Sequence, residues 1–374
     1  MFGALSGFRV GITADRRAEE QAELIARRGG ETVLAPVIRT SPLGDETLTI
    51  EATRRIIAEP PDVVVFATAL GVRGWCSSAE GLDLLDDLRE AFGPAEVLAR
   101  GPKASGAATT YGIDVDWVTP TATYDELLGR LASSVATTAE GRPVRVAVQL
   151  DGEPGPELAN RIAALGFDVV AVPVYRWDLP MDTGPAARLA AAVAARTVDA
   201  ITFTSAHAVK NFATIAESSG QLEPVLDAVN AGAVAAVAVG PVTAATIRSI
   251  GIAECIEPRH PRLGAMVQAL VTSFVDRSTA MDLRGIPVLL QGRLVSISGS
   301  DPVRLTDRER DLLGVLARQP GAVVSKERLL REVWAGESDD HVVEVTVGRL
   351  RRRLGPAGDR IQTVTRRGYR LMAS

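Results

Sequence analysis

The front of this chain occurs twice. The run Ala26-Arg-Arg-Gly-Gly-Glu-Thr-Val-Leu-Ala-Pro-Val-Ile38 aligns with Ala163-Ala-Leu-Gly-Phe-Asp-Val-Val-Ala-Val-Pro-Val-Tyr175. Gly29 falls on Gly166, Pro36 on Pro173 and Phe66 on Phe203, each at an offset of 137 residues. Phe66-Ala-Thr-Ala-Leu-Gly-Val72 matches Phe203-Thr-Ser-Ala-His-Ala-Val209. Further along the offset becomes 139, where Arg100-Gly-Pro-Lys-Ala-Ser-Gly matches Val239-Gly-Pro-Val-Thr-Ala-Ala and Gly112 matches Gly251. Landmarks recurring in one order mark a duplicated structural unit. Between them, apolar runs alternate with helix-spaced segments. Val10–Thr13, Thr32–Ile38, Asp62–Phe66, Glu96–Ala99, Val144–Leu150, Asp168–Val174, Asp199–Phe203 and Ala233–Val239 read as strands. Arg16–Arg28 reads as a helix stopped by Gly29-Gly30. Runs of Val, Ala and Ile without polar alternation belong to strands covered on both faces, hence to parallel sheets. The expected fold class is α/β, with two similar parallel-sheet lobes followed by a smaller C-terminal domain.

A chain of 374 residues is too long for one ordinary core. Its two cysteines, Cys76 and Cys255, cannot make a disulfide framework, and a cytoplasmic location is expected. No stretch reaches the roughly 18–20 apolar residues of a membrane span, so no membrane partner is expected. Met1–Val10 lacks the basic start and apolar run of a signal peptide. The net charge of −5 hides an asymmetry: residues 1–300 carry 26 Lys and Arg against 35 Asp and Glu, whereas residues 301–374 carry 15 against 11. Residues 349–374 hold eight Arg and one acid, Asp359. A basic block on an acidic chain suits a polyanionic partner, although a solvated basic face would look the same.

Asp276–Arg284 is short and polar and reads as a linker. Ile286–Ser298 alternates like small strands, and Thr306–Leu316 is amphipathic with Thr306 three residues before Glu309, the spacing of a capping box. Ser325–Trp334 and His341–Leu354 read as further helices, and Ile361–Leu371 as a hairpin turning at Arg367-Gly368. Three helices and a hairpin make a winged helix. Thr346, Arg349, Arg352 and Arg353 project from its third helix with Arg351 nearby, and Arg366 and Arg367 sit at the hairpin tip. A helix fits the major groove, and the planar guanidinium suits guanine edges and phosphates.

Four runs carry a resemblance here: Val303-Arg-Leu-Thr-Asp-Arg-Glu-Arg-Asp-Leu-Leu, Pro320-Gly-Ala-Val-Val-Ser-Lys-Glu-Arg-Leu-Leu, Val345-Thr-Val-Gly-Arg-Leu-Arg-Arg-Arg-Leu and Thr363-Val-Thr-Arg-Arg-Gly-Tyr-Arg-Leu. In order and spacing they resemble the OmpR/PhoB-type effector domain, over residues 285–374. The resemblance implies double-stranded DNA as partner, with His341, Thr346, Arg349 and Arg351 toward DNA, Arg366 and Arg367 in the wing, and a homodimer on tandem sites by analogy. The receiver domain that usually precedes such a module has no counterpart: residues 1–130 show neither its acidic pair nor its phospho-acceptor pattern. Phosphorylation is therefore not the expected switch.

The front resembles uroporphyrinogen-III synthase, on Phe203-Thr-Ser-Ala-His-Ala-Val, Val239-Gly-Pro-Val-Thr-Ala-Ala-Thr-Ile, Val172-Pro-Val-Tyr175 and the duplicated lobes. The resemblance implies an interrupted first lobe, 1–37 with 175–274, a second lobe 38–174, a linker 275–284 and the winged helix 285–374. It implies cyclisation of hydroxymethylbilane to uroporphyrinogen III with inversion of ring D, with no metal and no cofactor. Tyr175 is implied as general acid, its neutral phenol donating a proton. Thr68, Ser205, Gly240 and Thr243 fall at strand ends before helices, where backbone N–H groups face anions. Arg16, Arg73, Lys103 and Lys210 follow strand ends and would add charge. Packing, helix capping and ordinary surface are the competing readings of these residues. The first copy has Thr68 where the second has Ser205, and Ala104 where the second has Thr243. That weakening leaves open a module that binds a tetrapyrrole as an effector without turning it over.

Overall fold

The structure, a computed structural model, describes residues 3–43, 46–134, 136–139, 141–150, 152, 157–334 and 339–373. The chain divides into two compact units, Arg39–Asp178 and a second one made of Met1–Ile38 with Leu179–Ser374.

In the first, β4 (Val63–Phe66), β5 (Glu96–Ala99), β6 (Trp117–Val118), β7 (Arg145–Gln149) and β8 (Asp168–Val172) form a parallel sheet in the order β6-β5-β4-β7-β8. A separate antiparallel ladder pairs β3 (Arg39–Pro42) with β9 (Tyr175–Asp178), Arg39 opposite Asp178. All four residues of β4 are buried, as covered faces require. One face packs on Phe66, Trp75 and Phe92, whose rings meet edge to face at 5.5–6.2 Å. The Trp75 indole N–H donates to Thr53 Oγ1 at 2.9 Å, so this buried donor is satisfied.

The second unit begins with β1 (Arg9–Ile12) and β2 (Glu31–Leu34) and resumes with β10 (Ala200–Phe203) and β11 (Ala235–Ala238). These form a parallel sheet in the order β11-β10-β1-β2. The repeat explains both sheets. At the offsets of 137 and 139 residues, β1 and β2 correspond to β7 and β8, and β4 and β5 to β10 and β11. The order β2-β1-β10-β11 is thus the order β8-β7-β4-β5. Each sheet joins the front half of one copy to the back half of the other. Gly29 and Gly166 occupy matching left-handed positions, φ 86° and 95°, where a side chain would be strained.

Further along the chain in the same unit, β12 (Thr279–Asp282), β13 (Pro287–Gln291), β14 (Leu294–Ile297) and β15 (Val303–Arg304) form an antiparallel sheet in that order. Strand β12 lies in the stretch that reads from sequence as a linker; its pairing with β13 supplies order that its polar composition does not announce. Helices Asp307–Ala317, Lys326–Trp334 and Asp340–Leu354 follow, then the hairpin β16 (Ile361–Val364) and β17 (Gly368–Leu371). The turn is Thr365–Arg367, one step earlier than expected, and Gly368 already pairs with Val364.

Within the second unit the α/β lobe and the C-terminal domain meet around Arg293, which is 2% exposed. Its guanidinium donates to Asp199 Oδ2, Asp307 Oδ1 and Thr197 O, each at 2.6 Å. Asp199 also accepts from the Arg9 amide at 2.7 Å and from Arg310 at 3.1 Å. Burial opposes the Arg293 charge, but Asp199 and Asp307 outweigh it and lift its pKa above the ordinary value. Alongside, the Arg293 amide donates to Gly7 O at 2.8 Å. A Cβ on Gly292 would sit 2.4 Å from Gly7 O, so this backbone approach requires glycine. Asp199→Ala, which strands the buried guanidinium, is expected to cost about 3–5 kcal/mol in urea unfolding. Arg293→Met should cost less, because Arg310 and the Arg9 amide still serve Asp199. A loss below about 1 kcal/mol for Asp199→Ala would show that the junction does not depend on this cluster.

Candidate ligand-binding strand ends and nucleic-acid interface

In the unit Arg39–Asp178, helix Ala69–Glu80 starts at the carboxyl end of β4 and helix Pro102–Thr110 at that of β5. Thr68 is extended (φ −145°, ψ 148°), and its Oγ1 accepts from the Gly71 amide at 3.0 Å. Tyr175, 6% exposed, has its hydroxyl 3.1 Å from Thr68 Oγ1. The Thr68 amide donates to Gln149 Oε1 at 3.0 Å. A Cβ on Gly71 would lie 1.8 Å from Gln149 Nε2, so a larger residue there would push the glutamine amide out of its place. Tyr175, Thr68 and Gln149 therefore form one chain of polar groups. Gln149 escaped sequence reasoning, although it is the polar last residue of an otherwise apolar strand core. Lys103 and Arg73 are exposed on the two helices, and Ala104 is buried. Cys76 lies in the core, where burial pushes its thiol up to about 12, so it is a neutral packing group.

The other sheet repeats the arrangement. Ser205 is extended (φ −159°, ψ 159°) and accepts from the Ala208 amide at 3.2 Å. Gly240 is extended before Pro241, as Gly101 is before Pro102. A Cβ on Gly240 would lie 2.7 Å from Pro261 Cβ. Thr243, one turn into the helix, is buried, and its hydroxyl has no protein partner among the described residues. Lys210 and Arg16 are exposed near the same strand ends. Each sheet thus presents two helix N-termini at neighbouring strand ends, with N–H groups unused by the helix.

In the C-terminal domain the arginines fall into two groups. Arg349, Arg352, Arg366 and Arg367 are exposed and make no ion pair among the described residues. Arg366 holds φ 59° at the hairpin tip, an uncommon conformation for a non-glycine residue. The other group is tied inward. Arg351 donates to Ile361 O at 2.8 Å and Thr363 Oγ1 at 3.0 Å, fastening the third helix to the hairpin. Arg353 pairs with Glu309 at 3.0 Å. Thr346, expected to project outward, is buried and bonds Val342 O at 2.8 Å. Thr346 shares a groove with His341, Val345 and Arg349. His341 is exposed, with its amide on the N-cap Asp339 at 2.7 Å.

The expected capping box is present, with Thr306 and Glu309 reciprocally bonded. Burial pushes the Glu309 carboxyl up, but the Thr306 amide and Arg353 outweigh it, and the net pKa lies below the ordinary 4.5. A depressed folded-state pKa contributes stability that is complete above the unfolded value and is lost as pH falls through the folded one. The C-terminal domain is therefore expected to weaken as pH drops below about 4.5. Glu309→Gln should flatten that part of the profile in acid unfolding followed by Trp334 fluorescence. An unchanged acid limb would remove Glu309 as its cause.

Two duplicated α/β sheets with paired helix N-termini, followed by a three-helix winged domain, define a synthase-type module fused to a DNA-binding domain of response-regulator type. The profile described as "Uroporphyrinogen-III synthase HemD" matches residues 19–268, and that described as "Transcriptional regulatory protein, C terminal" matches residues 300–371. The chain is 30% identical over 261 residues to a putative uroporphyrinogen-III synthase of Methanothermobacter thermautotrophicus, covering 69% of this chain and 94% of that protein. It is 30% identical over 276 residues to the Bacillus subtilis protein YjjA, covering 73% and 98%. A uroporphyrinogen III synthase structure from Thermus thermophilus aligns with TM-score 0.58 and 29% identity, over 71% of this chain and 98% of that one. The C-terminal part is 36% identical over 99 residues to the transcriptional regulatory protein PrrA of Mycobacterium tuberculosis, 26% of this chain and 42% of that protein. The chain belongs to the uroporphyrinogen-III synthase family and carries an OmpR/PhoB-type DNA-binding domain behind it. Among the described residues no helix is long and apolar enough to cross a membrane.

Proposed function

We propose that the protein is a transcriptional regulator whose front module binds hydroxymethylbilane and cyclises it to uroporphyrinogen III. The observation that carries this is the repeated pair of helix N-termini at the strand ends, Thr68 with Gly101 and Ser205 with Gly240. A tetrapyrrole presents carboxylates around its whole periphery. Each such set of N–H groups can receive carboxylates of a ligand of this kind. The Thr243 hydroxyl, without a protein partner among the described residues, is ready to donate to a carboxylate. Lys103, Lys210, Arg16 and Arg73 add positive charge nearby.

The chemistry asks little of the side chains. A proton passes to the substrate hydroxyl, which leaves as water and generates an azafulvene cation. Ring D then attacks through its substituted carbon, and the spiro intermediate fragments and recloses with ring D inverted, losing a proton from the newly bonded carbon as the pyrrole regains aromaticity. Without guidance the chain closes at the unsubstituted position, so holding the ends in register is the main contribution. Tyr175 is the proposed proton donor, with Thr68 orienting its hydroxyl.

The Tyr175–Thr68 bond also favours a second reading. A buried phenol already engaged by a neighbour suits packing, and Ala104 removes one hydroxyl from the first copy. On that reading the module only senses the tetrapyrrole. Product analysis separates the two. Catalysis predicts the type III isomer above the spontaneous type I background, with a marked drop for Tyr175→Phe. Type I alone from a folded protein that still binds DNA would leave the sensor reading.

For the DNA-binding domain, we infer that Arg349, Arg352, Arg366 and Arg367 meet DNA directly. Arg351 and Arg353 act by holding the third helix in place, and His341 and Thr346 border the contact. Arg349→Ala is expected to weaken operator binding by about 1–3 kcal/mol if it reads a base. Arg352→Ala should lower the salt slope by about one unit if it meets a phosphate. Arg351→Ala should lower the melting temperature as well as the affinity. Footprinting and thermal melts on the same variants check the division; an Arg349→Ala protein with an unchanged footprint would overturn it.

A further inference from the structure

Inside the unit formed by Met1–Ile38 and Leu179–Ser374, a cleft of about 830 Å³ opens between the α/β lobe and the C-terminal domain, beside the Arg293 cluster. Six arginines line it, against four carboxylates. Two of them are spent: Arg310 pairs with Asp199 at 3.1 Å and Asp311 at 2.8 Å, and Arg318 pairs with Glu332 at 2.9 Å. Arg196, Arg277, Arg308 and Arg331 make no ion pair among the described residues. Of the lining carboxylates, only Asp276 makes none either. The cleft therefore carries an uncompensated positive charge contributed from both sides. Arg196 and Arg277 come from the lobe, Arg308 and Arg331 from the winged helix.

Arg277 is the most telling of the four. It stacks on the Phe274 ring at 4.4 Å and is half-buried. Burial pulls its pKa down, and Asp199 only partly opposes this. A half-buried guanidinium that rests on an aromatic face and makes no ion pair among the described residues can take an anionic partner without giving one up.

The cleft also reaches the DNA side. Arg308 and Trp334 line both it and the groove that holds His341, Thr346 and Arg349. Arg308 donates to Val333 O at the end of the second helix and lies 5.9 Å from the Trp334 ring. An anion drawn to Arg308 would compete with those contacts.

We propose that this cleft is an effector site for a small anion carrying two or more negative charges, of the polycarboxylate or polyphosphate kind, and that its occupancy changes DNA affinity. Guanidinium forks recognise both chemistries through paired N–H···O bonds. The proposal is independent of the synthase reading, since the strand-end residues take no part in it. Coupling requires that the anion interact differently with the DNA-competent and incompetent states, which the shared Arg308 and Trp334 allow.

The test uses the full chain with citrate and with inorganic pyrophosphate as probes. Melting temperature and operator affinity are read for the wild type and for Arg277→Met/Arg331→Met. Methionine keeps the stem over Phe274, and Arg331 is exposed, so the fold should survive. One probe is expected to raise the wild-type melting temperature saturably and to shift DNA affinity severalfold. In the double variant the apparent dissociation constant of the probe should rise by about tenfold or more, roughly one charge-assisted contact, and the DNA effect should vanish. Which probe acts tells carboxylate from phosphate recognition. A probe that merely competes with DNA at the third helix would act equally on the double variant. That outcome, saturable binding without any change in DNA affinity, or no saturable binding by either probe, would overturn the proposal. Tyr175→Phe should leave the anion response intact whichever isomer the synthase assay returns.

Discussion

One guanidinium fixes the junction of the unit that holds the DNA-binding domain. Arg293 is buried between strands of different origin and satisfied by Asp199, Asp307 and the Thr197 carbonyl. A buried ion pair adds little net stability, because desolvation consumes most of the attraction. Its effect is geometric. Only the arrangement that brings all of these acceptors to Arg293 avoids stranding a charge, so alternative packings of the winged helix on the lobe are strongly disfavoured. The Gly7–Gly292 approach applies the same selection through the backbone. The winged helix is thereby fixed to the lobe of its own unit through side chains and backbone rather than by the chain connection alone.

Most of the fold was legible in the sequence because it is written in periodicity and repetition. Buried parallel strands must be apolar along their whole length, and Val63–Phe66 or Ala200–Phe203 cannot be read otherwise. The repeat offset gave the strand equivalences, whereas the shared order of the two sheets is seen only in the strand pairing itself. The capping box at Thr306 and Glu309 was legible for the same local reason: both partners lie within one turn. What escaped was non-local. Strand β12 is polar and exposed and owes its order to pairing with β13. Arg293 looked like any surface arginine, since its partners lie 94 and 14 residues away.

The candidate sites divide along the same line. That helices begin at Thr68, Ser205, Gly101 and Gly240 follows from local cues: a hydroxyl cap, or glycine before proline. That Gln149 stands under Thr68, and that Tyr175 reaches over it, depends on strands brought together by the sheet and the ladder. The arginines of the third helix illustrate the limit most clearly. Arg351, Arg352 and Arg353 are consecutive and chemically identical. Yet Arg351 is taken by the hairpin, Arg353 by Glu309, and only Arg352 is left without such a tie among the described residues. Helical geometry separates them by about 100° per residue, so neighbours in sequence face different surroundings.

That sorting bears on how a chain of net charge −5 engages polyanions. The total charge repels DNA weakly at long range, and at physiological ionic strength screening confines that repulsion to about 8 Å. Binding is then decided by which cations are not already neutralised. Among the described residues, some arginines are tied into ion pairs while others are not, and two groups of the latter lie near the DNA-binding domain: the third helix with the hairpin tip, and the cleft beside Arg293. The first lies exposed on the DNA-binding domain. The second is a cleft of about 830 Å³ with walls from the lobe and from the winged helix. Arg308 and Trp334 border both regions. On the effector proposal the two kinds of anion act on overlapping side chains, and the α/β lobe, which supplies one wall of the cleft, takes part in setting the state of the DNA-binding surface.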